Sequence, residues 1–281
     1  MDDKEIKAIR PDALAPAEIA AKTEAIGATK ATMGLRQSFV LAIMAGLFIG
    51  LGGMFMLLIK SDASFSPAVS QILGGLVFCT GLFLVICAGA ELFTGNCLMI
   101  IGRLSGGYSW AAMLKNWVVV YLGNLVGSLL LVALLLLIHY YTTNSGGVGN
   151  AMLSVAAGKI DQPWQILLFK GVMCNLLVCL AVWVSYAART IVDKFFAIIL
   201  PITAFVACGF EHCIANMFFL PLGLALRFIG FDYTGSADIS KIDVAGVLYN
   251  LSAVTIGNII GGVLLVGLVY WFVYRKKQGR Q

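Results

Sequence analysis

Two apolar stretches of this chain are each cut by the same short polar phrase. Gly89-Ala-Glu-Leu-Phe-Thr-Gly-Asn96 and Gly209-Phe-Glu-His-Cys-Ile-Ala-Asn216 both run Gly, then Glu two positions on, then Asn five positions after that. The runs they interrupt, 72–102 and 195–228, are otherwise apolar and of membrane-spanning length. A break at that depth strands backbone N–H and C=O groups, each costing several kcal/mol against lipid. Such backbone persists only where protein or a water-filled cavity satisfies it. The two breaks therefore mark a substrate path inside a helical bundle.

Composition supports the membrane reading. Hydrophobic residues make up 60% of the 281 and charged residues 12%, against about 25% charged in soluble domains. So few charges cannot cover the surface of a soluble domain this large. Six apolar segments follow: 39–59, 72–102, 116–138, 164–188, 195–228 and 244–274. With the N-terminus cytoplasmic, fourteen of the 19 Lys and Arg fall on the inner side, and Lys60, Lys159, Arg227 and Lys241 on the outer. Lys170 lies within the fourth segment, free either to snorkel outward or to face a vestibule. The bias places both termini in the cytoplasm. No apolar stretch precedes Phe39, so no cleaved leader is expected.

The halves repeat. Gly123-Asn-Leu-Val-Gly127 in the third segment matches Gly257-Asn-Ile-Ile-Gly261 in the sixth, and the broken segment is second in each half. The expectation is an all-α membrane protein of six transmembrane helices in a 3+3 inverted repeat with two broken helices. Residues 1–38 form a cytoplasmic segment with a surface helix near 17–26. Residues 39–274 form the transmembrane domain, repeat 1 over 39–138 and repeat 2 over 164–274. Residues 275–281 are a basic cytoplasmic tail.

Several function classes drop out. The seven cysteines show no Cys-x-x-Cys spacing and all lie in apolar segments, which argues against a disulfide framework or a metal site. Basic residues are scattered rather than gathered, which argues against nucleic acid. No nucleotide, metalloprotease or haem signature is present, so no catalytic residue, cofactor or enzyme activity is expected.

Within the motifs, His212 stands where the first copy has Leu92. An ionisable side chain at membrane depth is functional by default, and a histidine there makes a proton-sensitive centre. His139, at a segment end, marks the interface. Glu91 and Glu211 are expected to accept the stranded N–H groups of the breaks, with proton relay as the alternative, and Asn96, Asn124, Asn216 and Asn258 to join helices. Thr94 can donate to an anion or cap a half-helix. Lys159, in a polar loop over 140–163, is either a solvated charge or a group that concentrates anions at a mouth.

Four blocks resemble one family, the formate/nitrite transporters, and within it the formate-channel branch most. They are Gly89 to Asn96, Cys174-Asn-Leu-Leu-Val-Cys-Leu-Ala-Val-Trp183, Ala207-Cys-Gly-Phe-Glu-His-Cys-Ile-Ala-Asn-Met-Phe218 and Val254-Thr-Ile-Gly-Asn-Ile-Ile-Gly261. The ending Gly95-Asn96 is also similar to the family's hydrosulfide channels. The resemblance, which runs from Leu14 onward, implies an aquaporin-like protomer in a homopentamer of the inner membrane, with one anion pore per protomer. It implies that Phe78, Leu82, Leu92 and Phe205 line hydrophobic constrictions and that Asn175 and Val178 line the path. Thr94 and His212 would form the central polar pair with Glu211 beside it, and Lys159 would be the outer vestibule lysine. The implied cargo is formate, with nitrite, hydrosulfide and acetate as relatives, and protons as the coupled partner. Water and glycerol pores carry paired Asn-Pro-Ala boxes, which this chain lacks.

Overall fold

The structure, a computed structural model, describes residues 13–276, and among these every regular element is a helix. The expectations for Lys4, Lys7, Arg10, Lys277 and Arg280 lie outside the described residues.

Helix α1 is Pro16–Thr32, opened by proline at its first position and by Glu18, whose carboxylate takes the N–H of Ala15 at 2.9 Å. Helix α2, Leu35–Lys60, follows after two residues. Ser66 caps α3, Pro67–Leu84, which widens into a π-helical turn over Val85–Gly89. The chain then runs extended and restarts as the short helices α4, Phe93–Asn96, and α5, Met99–Leu104. Ser109 caps α6, Trp110–Leu137. Helix α7 is Gly147–Ile160 and α8 is Trp164–Ala187. A reciprocal Thr190–Asp193 cap starts α9, Ile191–Ala207. Beyond the second break lies α10, Cys213–Phe228. Asp243 caps α11, Val244–Ile260, which passes through a π-helical stretch, Gly261–Leu268, into α12, Val269–Tyr274. Each such cap is worth about 1 kcal/mol.

Five of these stretches are long and apolar enough to cross a membrane: Leu35–Lys60, Pro67–Gly89, Trp110–Leu137, Trp164–Ala187 and Val244–Tyr274. The α10 helix is apolar but shorter. Polarity is arranged inside out relative to a soluble domain. Asn124, Asn175, Asn250 and Asn258 are fully buried, whereas Val118, Phe169 and Leu200 stand exposed. That pattern fits a hydrocarbon surround, where interior polar groups bond one another and apolar side chains face lipid.

Two backbone-to-backbone seams draw the bundle tight. A Cβ on Gly127 of α6 would lie 1.9 Å from the carbonyl oxygen of Ile43 on α2, and one on Gly261 would lie 2.2 Å from that of Val172 on α8. Glycine at these positions is what permits the approach.

The stretch 140–163 is not the open loop its polarity suggests. Helix α7 occupies most of it, burying Val148, Met152, Leu153, Ala156 and Ile160. Ala156 fits against Gly223 of α10, where even a methyl group would clash. Small and polar residues hide this helix in the sequence, because its packing needs only a narrow apolar stripe.

Candidate functional site

Both breaks begin at a glycine in the left-handed region, Gly89 at φ 83° and Gly209 at φ 68°. Open space surrounds the position of a Cβ at each, so the backbone angle rather than crowding demands glycine. The next residues run extended to Leu92 and His212, the positions just before α4 and α10.

Each break is then closed by one asparagine from a distant helix. Asn124 accepts the N–H of Phe93 at 3.0 Å and donates to the carbonyls of Ala42 at 2.8 Å and Glu91 at 2.9 Å. Asn258 accepts the N–H of Cys213 at 2.9 Å and donates to the carbonyls of Gly171 at 2.8 Å and Glu211 at 2.9 Å. Asparagine suits the task because one side chain offers an acceptor and two donors. The glutamates, expected to bind stranded backbone, have another use. Glu91 accepts from Lys30 Nζ at 2.8 Å and Asn96 Nδ2 at 2.8 Å. Glu211 accepts from Lys159 Nζ at 3.1 Å on both oxygens and from Asn216 Nδ2 at 2.7 Å. A carboxylate accepts strongly from cations and amides, whereas the asparagines already occupy the backbone N–H groups.

The two clusters correspond atom for atom in most respects. Asn96 Nδ2 also donates to Asn116 at 2.9 Å, and Asn216 Nδ2 to Asn250 at 2.7 Å. Asn116 in turn donates to the carbonyl of Lys30 at 3.4 Å, and Asn250 to that of Lys159 at 2.8 Å. They differ at the lysine, which meets one oxygen of Glu91 but both of Glu211. Lys30 Nζ also reaches Asn96 Oδ1 at 2.7 Å, whereas Asn216 Oδ1 has no partner among the described residues. Lys30, on α1, is thus a site residue that sequence reading missed. Its neighbourhood, Ala-Thr-Lys-Ala-Thr, carries no trace of the motif around Lys159.

Between the clusters, Thr94 Oγ1 and His212 Nε2 meet at 2.9 Å, joining the two breaks. Both residues are buried. The backbone N–H of Ala215 donates to His212 Nδ1 at 3.1 Å, so the imidazole serves as the N-cap of α10. A nitrogen that accepts from an N–H carries no proton. In the neutral ring Nε2 therefore holds the hydrogen and donates to Thr94, leaving the threonine hydroxyl hydrogen free for another acceptor.

A cavity of about 700 Å³ lies on one side of this pair, lined among others by Phe78, Phe205, Glu211, His212, Lys159 and Lys170. A smaller cavity of about 290 Å³ is lined by Lys30, Leu82, Glu91, Leu92 and Asn96 among others, and by neither Thr94 nor His212. Phe205 stacks on His212, centroids 5.9 Å apart, and meets Phe78 edge-on at 5.7 Å. Asn175 and Val178 are buried and line neither cavity. The Asn175 amide holds the carbonyls of Thr94 at 3.3 Å and Asn258 at 2.7 Å. Lys159 is not a loop charge but the last-turn lysine of α7. Lys170 faces the larger cavity and donates to Gln162 at 2.7 Å. No cluster of His, Cys, Asp or Glu suited to a metal occurs among the described residues.

Comparison with known proteins agrees with this architecture. A family model described as formate/nitrite transporter matches residues 17–272. The chain is 42% identical to the formate channel FocA of Escherichia coli, over 97% of this chain and 99% of that one. It is 36% identical to FocA of Haemophilus influenzae, over 91% and 93%. A solved structure titled "Pentameric formate channel with formate bound" superposes with a TM-score of 0.80 at 38% identity, covering 85% of this chain and 97% of that one. With the match spanning nearly the whole chain, the protein belongs to the formate/nitrite transporter family of membrane channels and transporters, and is not an enzyme.

Proposed function

We propose that this chain is a pH-dependent channel for formate and related small monovalent weak-acid anions, passing them between two hydrophobic constrictions by way of His212. The observation that carries the reading is the Thr94–His212 contact, because it sets a donor-bearing polar pair where the two breaks meet, at the wall of the larger cavity. Phe78 and Phe205 form the constriction on one side, and Leu82 and Leu92 on the other. The protomer is a six-span 3+3 inverted repeat with both termini cytoplasmic, one of five in a homopentamer of the inner membrane. Support comes from the matching Asn124 and Asn258 closures, the basic bias of the inner side and the pentameric, formate-bound relative.

A bare anion is costly to carry past phenyl and leucyl side chains. Lysine charge in the outer vestibule holds it at the mouth, and the free hydrogen of Thr94 meets it at the centre. When the ring takes a proton from solvent at Nδ1, it surrenders the bond from Ala215. The imidazolium then releases its Nε2 proton to Thr94 Oγ1 as the threonine hydrogen passes to the carboxylate. Formic acid, neutral, crosses the second constriction, and the ring is left neutral with its proton on Nδ1.

Flux through purified protein in liposomes tests this, with formate, nitrite, hydrosulfide and acetate compared from about pH 4 to pH 8. Formate flux that rises with acidity, and a His212→Phe variant whose flux no longer follows pH, are expected. An unchanged pH profile in that variant would sink the proton role. Preferential passage of nitrite or hydrosulfide would reassign the cargo within the family.

A further inference from the structure

We infer that Lys60 and Lys170, rather than Lys159, gather anions at the outer mouth. The inference rests on the anion-pathway reading above and assigns its outer capture step to two residues.

Three ammonium groups line the larger cavity, those of Lys60, Lys159 and Lys170, and Glu211 is the one carboxylate among its described lining residues. Lys159 is committed, since its Nζ bridges both Glu211 oxygens at 3.1 Å. Lys170 donates to Gln162, a neutral amide, so its charge is uncancelled. Lys60, in the last turn of α2, has no hydrogen bond or ion pair among the described residues. Neighbouring acids do not offset it. Asp62 turns back to the N–H of Ser64 at 2.8 Å, and Asp161 pairs with Lys241 beyond the cavity wall. The larger cavity therefore holds two positive charges in excess, with the imidazole neutral. The smaller cavity holds Lys30 and Glu91, which are paired, and no excess.

Charge within a low-dielectric cleft focuses the field and raises the local concentration of counter-ions. Capture should therefore be asymmetric, stronger from the outer face, and sensitive to ionic strength. Lysines 60 and 170 suit this better than a lysine locked to a carboxylate, because their charge stays available to an incoming anion.

The test is initial-rate formate uptake into right-side-out and inside-out vesicles at low and at roughly 1 M salt, where the Debye length is about 3 Å. At low salt, Lys60→Gln is expected to raise the half-saturating external formate concentration about three-fold, and Lys60→Gln with Lys170→Gln about ten-fold. Both shifts should vanish in high salt and be absent from the inside-out vesicles. Lys241→Gln, outside the cavity, should change nothing. No shift at low salt, a shift that survives high salt, or an equal shift from both faces would overturn the inference. Wild-type protein that carries no formate in either vesicle would instead overturn the anion-pathway reading, and this inference with it.

Discussion

Asn258 holds Cys213 in place by accepting its backbone N–H at 2.9 Å, while its own amide hydrogens reach the carbonyls of Glu211 in the break and of Gly171 on α8. Asn258→Ala would leave the Cys213 N–H and the Glu211 carbonyl without partners at bilayer depth. Each such group costs about 1–3 kcal/mol. The variant is expected to melt well below wild type in detergent, and Asn124→Ala likewise. Melting curves that overlay wild type would show that other groups close the breaks.

Lys159 and Glu211 form a largely buried pair, their side chains 15% and 4% exposed. Removing one partner of such a pair typically costs about 3–5 kcal/mol, because the other charge is left uncompensated. Lys159→Met should therefore destabilise more than Lys159→Met combined with Glu211→Gln. Equal melting temperatures for the two would contradict a compensating role for the lysine.

Thr94 Oγ1 lies 2.9 Å from the imidazole Nε2 of His212. Thr94→Ser keeps the hydroxyl and should keep most flux. Thr94→Val keeps the shape, loses the hydrogen bond, and should lower formate flux roughly ten-fold or more, as expected for about 1.5–3 kcal/mol. Equal rates for the two variants in liposomes would remove the hydroxyl from the mechanism.

Glu24 of α1 joins Arg275 and Ser105, linking the first described helix to the end of the last. Burial raises its carboxyl pKa, but hydrogen bonds from Arg275 and Ser105 and the arginine charge outweigh this, so the net shift is downward from 4.5. A group whose folded pKa is depressed contributes above its unfolded pKa and loses that contribution as pH falls through the folded one. The clasp should hold near neutral pH and open only below the ordinary carboxylate range. Spin labels on α1 and α12 should report a fixed separation at pH 6 that broadens in acid. Broadening already at pH 6 would refute the assignment.

The two glycine seams predict a contrast between substitutions. Gly127→Ala and Gly261→Ala place a methyl group against backbone with no room to yield, and overpacking of this kind costs about 1–3 kcal/mol. Gly158→Ala meets nothing within 4 Å and should be neutral or slightly stabilising through helix propensity. Detergent melting temperatures that rank these three differently would reject the seam.

Much of this was readable from the chain. The apolar segments, the positions of both interruptions and the family were all accessible, since hydrophobic length and the Gly-x-Glu spacing are local signals. What stayed hidden was relational. That Asn124 rather than Glu91 takes the stranded N–H of Phe93 depends on a helix packed 31 residues away in sequence. That Lys30 and Lys159 are counterparts depends on two helices, α1 and α7, that share no motif and enter the bundle by different routes. Helix α7 itself was concealed by glycine, serine and asparagine, whose low helix propensity a close-packed neighbour overrode.

The position of Lys30 also imposes an order in time. Its partners Glu91, Asn96 and Asn116 lie 61, 66 and 86 residues downstream. At about 5–20 residues per second of synthesis, Lys30 is added to the chain roughly 4–17 s before the last of them. The first described helix therefore waits for partners made later, and the Lys30 cluster is completed only after α6 has begun to form.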